Sequence, residues 1–451
     1  MKCFIACICF LFSLIFSYSQ PSSTLVKLIE QSNKNYAANK ATAFRTLAAQ
    51  SQTNVIKNQF KPQLQAAYQI NYATYNNITG MVFPSFVTPI SGPPAMANSY
   101  NGVFGSAAAL IAKWDVVTFG YEKSLLQQAN TQINAAKAKE QLQLFRQNVQ
   151  LINTYLDWLL ANKLVTVYQN NLNRVATALQ LSQTLTQKGL RPGTDSASWN
   201  AEYAKANILL QQQQKSTGTL FIQLQELIGI DTNFAAIDTV LLNKQPVFFQ
   251  MNDTLLHPEL QALQTEIDNQ KNNETVLHQL KKPTLSLSGT GYARGSGIDE
   301  SNDVKTSQGL YFQRYNYGVA AQLSVPLFEG IYIKPKIQQQ QQLLDAATED
   351  YAAMQWHLKK QNEEADTVLH NAVSVASLVQ SQQQSSSFLF NAVMARYKAG
   401  LISYADVVLA QQQLIQADAD TENAKWEVWK SFLYKASVTG DLKLFLQQFN
   451  D

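Results

Sequence analysis

The sequence predicts a mainly α protein with a membrane β part, in which each chain supplies long coiled-coil helical hairpins and four strands. Three observations predict this class. The chain contains an internal repeat with two copies. In one part of each copy, apolar residues alternate with polar ones with a period of two. In the next part, apolar residues recur every three or four residues over about 70 residues.

The first 19 residues have the pattern of a secretory signal peptide. Lys2 provides the positive start, residues 4–16 form an apolar run too short to cross a bilayer as a helix, and residues 17–19 provide a small-residue cleavage site. The three cysteines of the sequence all lie in this segment, at Cys3, Cys7 and Cys9. The mature chain is therefore expected to be exported and to contain no thiol or disulfide.

The composition excludes several kinds of function. A formal net charge of +3 without clusters of Lys and Arg predicts no nucleic-acid partner. The four histidines show no metal-ligand spacing, so no metal is expected, and no motif predicts a cofactor. No Ser/His/Asp set or carboxylate pair occurs in a convincing context, and the protein is not expected to be an enzyme.

An internal repeat organises the mature chain. Three landmarks recur at separations of 221, 210 and 211 residues: Pro62 and Pro283, Gly120 and Gly330, and Gly189 and Gly400. We divide the chain into the signal peptide at 1–19, a first repeat at 20–245 and a second repeat at 246–451. About eleven extra residues of the first repeat fall in a Pro/Gly-rich stretch at 79–94, which predicts a surface loop.

Period-two alternation predicts strands at 64–72 and 315–327, with partner strands at 102–114 and 284–294 assigned by pairing. A half-buried soluble hairpin would alternate in the same way, but its strands are usually about 5–6 residues long. A tilted membrane strand needs about 9–11 residues. Four strands cannot close a barrel, whereas three chains would supply about twelve, above the minimum of about eight.

Spacings of three and four predict long helices at 120–189 and 330–400, each about 100 Å long at 1.5 Å per residue. Returning helices are predicted at 196–228 and 404–436. Shorter helices are predicted before the strands, at 24–60 and 257–281. Gly189-Leu190 and Gly400-Leu401 interrupt the helical pattern, and each glycine is followed six residues later by an aspartate, Asp195 or Asp406.

The order of these elements resembles the TolC family of outer-membrane efflux proteins. The motifs that carry the resemblance are Lys61-Pro62-x-Leu64, Lys282-Pro283-x-Leu285, Leu255 to Leu260, Pro326 to Gly330 and Arg396 to Leu401. The resemblance implies a homotrimer whose twelve-stranded β-barrel continues as an α-helical tunnel into the periplasm of a Gram-negative bacterium. It also implies a passive exit duct of a tripartite efflux or type I secretion system, with a gated periplasmic tip.

By the same resemblance, the tip docks a periplasmic membrane-fusion adaptor joined to an inner-membrane pump, and the barrel contacts outer-membrane lipid. The candidate tip and adaptor contacts are Gly189, Leu190, Arg191, Gly400, Leu401 and Ser403. The candidate gate residues are Asp195 and Asp406. The sequence departs from the family where some members have a second Asp, at Leu409, and where some have an Arg, at Ile402; Arg191 holds the equivalent place in the first repeat.

Two alternatives remain open at the level of sequence. Gly400 fits an ordinary helix C-terminal glycine, and Asp406 fits a first-turn acid that stabilises the next helix. A secreted or periplasmic coiled-coil structural or adhesion protein without a pore would also show the helical spacing. Such a protein would not need the aromatic, alternating face of residues 315–327.

Overall fold

The computed structural model describes residues 24–74, 100–231, 257–298 and 304–449, and between these the short pieces 76, 81–82, 87–88, 98, 233–234 and 246. The predicted signal peptide and most of the predicted loop at 79–94 lie outside the described residues.

The first part of the chain contains helices, strands and then two long helices. Its elements are α1 Thr24–Asn35, α2 Ala37–Gln59, β1 Gln63–Ala73, β2 Met81–Val82, β3 Val87–Thr88, β4 Val103–Val117, α3 Tyr121–Gln187 and α4 Gly193–Ile228. The second part follows the same order. Its elements are α5 Pro258–Gln279, β5 Thr284–Ser296, a 3₁₀ helix Thr306–Leu310, β6 Arg314–Ser324, α6 Glu329–Lys398, α7 Tyr404–Thr439 and α8 Leu442–Gln447.

The predicted elements are confirmed to within a few residues. One difference is a break at Tyr36, which divides the predicted helix at 24–60 into α1 and α2. A second is the short helix α8, which the sequence pattern did not predict. A third is β6, which ends at Ser324, three residues before the end of the predicted strand, because the Pro326 that follows has no N–H for a strand ladder. None of the helices in the described ranges is long and apolar enough to span a membrane.

The described chain divides into two compact units. The first comprises Met1–Thr46, Ala136–Thr265 and Thr348–Asp451, and its described residues form only helices and connections. The second comprises Leu47–Ala135 and Glu266–Ala347 and holds the strands.

In the second unit, four antiparallel strands pair in the order β1-β4-β5-β6. The strands contain 11 to 15 residues, which is long enough for tilted membrane strands. Only β4 and β5 have neighbours on both sides in the described chain, so β1 and β6 each present an unpaired row of backbone N–H and C=O groups.

The register of the sheet separates two chemically different faces, because residues paired across strands share a face. One face, the apolar face, includes Leu64, Tyr68, Ile70 and Tyr72 of β1, Phe104, Ala108 and Leu110 of β4, Leu287, Gly291 and Ala293 of β5, and Tyr315, Tyr317 and Val319 of β6. The opposite face, the polar face, includes Gln65, Gln69, Lys113, Asp115, Ser288, Arg294, Arg314, Asn316 and Gln322.

All four charged residues of these strands lie on the polar face: Lys113, Asp115, Arg294 and Arg314. The apolar face exposes large side chains to the surroundings of the chain, and Val319 is 87% exposed. An exposed contiguous apolar surface of this kind marks a contact with lipid or with another protein.

In the first unit, helices α1, α3, α4, α7 and α8 enclose the main apolar core. Its completely buried aromatic side chains include Tyr155 and Phe445, and the Phe445 ring lies 6.0 Å from that of Trp429. Helix α8 exists because Asp441 caps it, accepting a hydrogen bond from the Lys443 backbone N–H at 2.9 Å, while Phe445 fills the core.

The helices α4 and α7 end on glycines that pack closely against other backbone, Gly229 at the break between α1 and α2 and Gly440 at the start of α5. Gly229 and Gly440 have φ values of +79° and +77°, in the left-handed region that favours glycine. A Cβ on Gly229 would lie 3.1 Å from the Asn35 carbonyl carbon, and one on Gly440 would lie 3.0 Å from the His257 Cα. The two glycines are separated by 211 residues, as are Gly189 and Gly400.

His257 caps the first turn of α5 with its imidazole ring. Its Nδ1 accepts a hydrogen bond from the Glu259 backbone N–H at 3.2 Å, and its Nε2 lies 3.1 Å from the Ser437 carbonyl oxygen. Both contacts are satisfied when Nε2 carries the only ring proton. Burial is the main cause that lowers the pKa of His257 below its usual value of 6.5.

The His257 cap predicts a loss of stability at mildly acidic pH. When the pH falls below about 6.5, the unfolded chain binds a proton at this residue while the folded chain does not, so unfolding becomes more favourable. The loss stops once the pH is below the lowered pKa of the folded state. Unfolding midpoints measured from pH 7.5 to pH 5 should fall more for the wild type than for His257→Asn, which keeps a capping oxygen without a titratable ring. Equal pH dependence in the two proteins would contradict the role of His257 as a neutral cap.

Candidate gate at the helical hairpin turns

Two turns with the same backbone geometry join the long helices of the first unit. Gly189 and Gly400 take left-handed conformations with φ of +68° and +77°. The Leu190 N–H donates to the Leu185 carbonyl at 2.9 Å, and the Leu401 N–H donates to the Arg396 carbonyl at 3.0 Å. This six-residue hydrogen bond is the Schellman motif, in which a glycine after the helix end is favoured. The two glycine breaks predicted from the sequence are therefore hairpin turns.

The leucines that follow the two glycines point away from the helices. In a Schellman motif the residue at this position commonly packs back onto the helix it ends. Here Leu190 is 67% exposed and Leu401 is 70% exposed. The two turns therefore present apolar side chains that no described residue covers.

Arg191 links the two hairpin turns within one chain. Its guanidinium donates from Nη2 to the Ile402 carbonyl at 2.8 Å and to the Tyr397 carbonyl at 3.2 Å. The guanidinium carbon also lies 4.6 Å from the centre of the Tyr397 ring, within the range of a cation–π contact. The positions of Arg191 and Ile402, which correspond in the two repeats, are thus in direct contact.

Asp195 is the second connection between the two hairpins. Its carboxylate Oδ2 accepts a hydrogen bond from the Tyr397 hydroxyl at 3.3 Å. Tyr397 has no exposed surface, so one buried aromatic ring contacts both Arg191 and Asp195.

A buried aromatic layer supports these contacts. The Trp199 ring has no exposed surface and meets the Tyr404 ring edge-to-face, with ring centres 5.1 Å apart. Partial burial and the carboxylates of Glu202 and Asp195 raise the pKa of Tyr404 to about 12. The hydroxyl of Tyr404 therefore stays protonated at physiological pH.

Asp406 has a different environment from Asp195. Its Oδ2 accepts hydrogen bonds from the Ser403 hydroxyl at 2.7 Å and from the Ser403 backbone N–H at 3.1 Å, in a capping box at the start of α7. These bonds lower the pKa of the fully exposed Asp406 carboxyl below its usual value, so it remains ionised at neutral pH. The contacts of Asp406 are therefore those of an acid in the first turn of a helix, which was one of the alternatives from the sequence. Its carboxylate is also exposed to solvent.

The structure brings together only part of the predicted set. Arg191 and Asp195 meet at Tyr397, and Ser403 meets Asp406, while the side chains of Leu190 and Leu401 are exposed. Tyr397 and Trp199 were not predicted as site residues. Tyr397 could have been identified from its position three residues before Gly400, because this places it in the last turn of the helix that the glycine ends.

Comparison with known proteins gives one family match and several solved structures of similar fold. The sequence model of the outer membrane efflux protein family matches residues 254–431. No curated protein matches the chain. Among solved structures, CusC gives a TM-score of 0.74 at 13% identity, with 92% of each chain covered. The CusC structures concern its folding and the formation of a transmembrane channel.

Two further structures have the same fold. The CmeC outer-membrane channel of Campylobacter jejuni gives a TM-score of 0.71 at 15% identity, over 92% of this chain and 85% of CmeC. The open state of the MtrE outer-membrane channel of Neisseria gonorrhoeae gives 0.67 at 14% identity, over 92% of this chain and 89% of MtrE.

The fold of the chain is therefore the fold of these outer-membrane channels. The match to the outer membrane efflux protein family covers residues 254–431, within the second repeat. The resemblance to the TolC family that the sequence motifs indicated is confirmed at this level.

Proposed function

We propose that three copies of this chain join edge to edge into one twelve-stranded barrel that forms the outer-membrane part of a passive exit duct. The observation that carries this proposal is the sheet, which has two unpaired edges and two chemically opposite faces. An open edge is not tolerated in lipid, so the outer edges of β1 and β6 require partner strands. The side chains of an eight-stranded barrel fill its interior. A twelve-stranded barrel is wider, so its interior stays open.

In this assembly the polar face lines the lumen and the apolar face contacts lipid. Lys113, Asp115, Arg294 and Arg314 then face water, and Tyr317 and Val319 face acyl chains. Amide side chains such as Gln65, Gln69 and Gln322 line the same lumen beside these four charges, and such a surface would admit solutes of many kinds. The cargo is proposed only as small molecules or proteins leaving the periplasm, driven by an inner-membrane pump.

We propose that the two hairpin turns form the periplasmic tip and contact the adaptor. The support is the exposure of Leu190 and Leu401, which gives each turn an apolar contact, together with Arg191 and Ser403 beside them. Opening of the duct would separate the two turns and break the contacts of Arg191 and Asp195 with Tyr397.

The proposed function is tested by planar-bilayer recording on the protein purified in detergent, with its mass measured in the same detergent. We expect stepwise conductances from a species with the mass of three chains. A monomer, or a trimer that gives no channels, would contradict the proposal.

Asp406 is proposed to contribute negative charge at the aperture. Asp406→Asn keeps an oxygen that can accept from Ser403 but removes the charge, so we expect the cation-to-anion permeability ratio to fall by about twofold or more. The matched control is Ser403→Ala, which removes the 2.7 Å contact and keeps the charge. Reversal potentials in a salt gradient measure the effect, and an unchanged potential in Asp406→Asn would remove Asp406 from the gate.

A further inference from the structure

The hairpin formed by β5 and β6 has arms of unequal length near its tip. Arg294 pairs with Arg314, and further along Ile298 pairs with Val304. Between these two pairs lie residues 295–297 on the first arm and residues 305–313 on the second. We call residues 305–313 the excursion; it contains the 3₁₀ helix.

Backbone hydrogen bonds fix both ends of the excursion. The Lys305 N–H donates to the Gly297 carbonyl at 2.7 Å, and the Gln313 N–H donates to the Arg294 carbonyl at 2.9 Å. Within it, the Gln308 and Tyr311 N–H groups make turn hydrogen bonds of 2.8 and 3.1 Å. The excursion is therefore a defined structure and not an extension of the strand.

The excursion lies over the apolar face of the sheet. A Cβ on Gly295 would collide with the Tyr311 carbonyl oxygen, and one on Gly309 would collide with the Phe104 carbonyl. The Phe312 ring reaches the Tyr68 ring of β1, with ring centres 6.1 Å apart. Gly295 and Tyr68 belong to the apolar face, so the excursion crosses that face from β6 to β1.

The excursion exposes three consecutive apolar or aromatic side chains, and polar side chains at Lys305, Ser307, Gln308 and Gln313. Leu310, Tyr311 and Phe312 follow one another, and Tyr311 is 72% exposed. The sheet exposes further large rings on its apolar face, at Tyr72 and Tyr315. The excursion thus continues the apolar face at the end of the strands.

These properties match the boundary between lipid headgroups and acyl chains. Irregular backbone exposed to lipid is not tolerated in the hydrocarbon core, which confines the excursion to the edge of the bilayer. Amphipathic rings such as tyrosine are enriched at that boundary, where the hydroxyl reaches water and the ring stays in an apolar environment.

We propose that the excursion is a membrane-contact surface that binds the headgroup–acyl boundary of the leaflet next to the tip of the β5–β6 hairpin. This inference rests on the proposed function, in which the apolar face contacts lipid. Because the excursion covers the apolar face, it leaves the lumen of the barrel open.

Single-cysteine spin labelling tests the proposal. All three native cysteines lie before residue 10, in the predicted signal peptide, so each variant carries one thiol after its removal. Nitroxide labels at Tyr311→Cys, Tyr317→Cys and Asn316→Cys are compared in phosphatidylcholine vesicles for collision with oxygen and with a water-soluble nickel chelate. Tyr317 lies on the apolar face and Asn316 on the polar face of the same strand.

We expect the ratio of oxygen to nickel collision at position 311 to lie between those of 317 and 316, and to exceed that of 316 severalfold. A ratio at 311 equal to that at 316, while 317 is lipid-exposed, would overturn the inference and leave the proposed function standing. If 317 is no more lipid-exposed than 316, the proposed orientation of the sheet fails, and the inference fails with it.

A second variant tests the consequence for the lumen. Replacement of residues 306–312 by two glycines should leave the single-channel conductance unchanged, because the excursion lies on the lipid side. A larger conductance in this variant would show that the excursion obstructs the pore and would overturn the inference.

Discussion

Arg191→Ala is expected to make the closed channel leak. The substitution removes the two hydrogen bonds from the guanidinium to the Ile402 and Tyr397 carbonyls and the stacking on the Tyr397 ring. A hydrogen bond from a charged donor contributes about 1.5–3 kcal/mol. Since Arg191 is partly exposed, we take the lower end, which corresponds to a shift of roughly tenfold towards the open state.

Two variants serve as controls for this prediction. Arg191→Lys keeps the positive charge but loses the planar fork, so its leak should be intermediate. Lys188→Ala removes an exposed cation at the residue directly before Gly189 and should leave the closed state unchanged. The measurement is the open probability in planar bilayers without adaptor. A closed state in Arg191→Ala as tight as that of the wild type would show that the link between the turns does not hold the gate.

Val319→Arg is expected to prevent assembly in the membrane. Val319 is at the middle of β6 and on the apolar face, where a charge would meet acyl chains. An arginine on the lipid face of a barrel costs about 2–4 kcal/mol at the bilayer midplane. Three copies would together cost roughly 6–12 kcal/mol, comparable to the whole stability of a typical domain.

The matched control is Gln322→Arg, three residues along the same strand and on the polar face, opposite Ser286. This arginine would face the lumen, and assembly should proceed as in the wild type. The fraction of heat-sensitive trimer in the membrane, measured by gel electrophoresis of unheated samples, distinguishes the variants. Normal assembly of Val319→Arg, or equal failure of both variants, would contradict the assignment of faces.

The main elements could be predicted because each is encoded by a local pattern. The strands alternate because successive side chains point to opposite faces, so Tyr315 and Tyr317 lie on the apolar face and Asn316 on the polar face. The hairpin turns were predictable because glycine is favoured where a helix ends in a left-handed residue, and Gly189 and Gly400 both do so.

The contacts within the candidate gate could not be predicted in the same way. The link from Arg191 to Tyr397 joins residues 206 positions apart, and it depends on how two hairpins pack. The excursion over the apolar face depends on the missing side chains of Gly295 and Gly309, whose close approach to other backbone is visible only in three dimensions. The imidazole cap of His257 likewise needs Ser437, which comes from another helix.

A barrel built from three chains is tested by covalent capture of the strand edges that the chains would share. Ala66→Cys on β1 is combined in one chain with a cysteine at 317, 319 or 321 of β6, all on the apolar face, so that the panel covers neighbouring registers. After mild oxidation in the membrane, we predict for one register a covalent species of three chains and nothing larger. Absence of interchain crosslinks in every register, or a ladder of species beyond three chains, would contradict a barrel built from three copies.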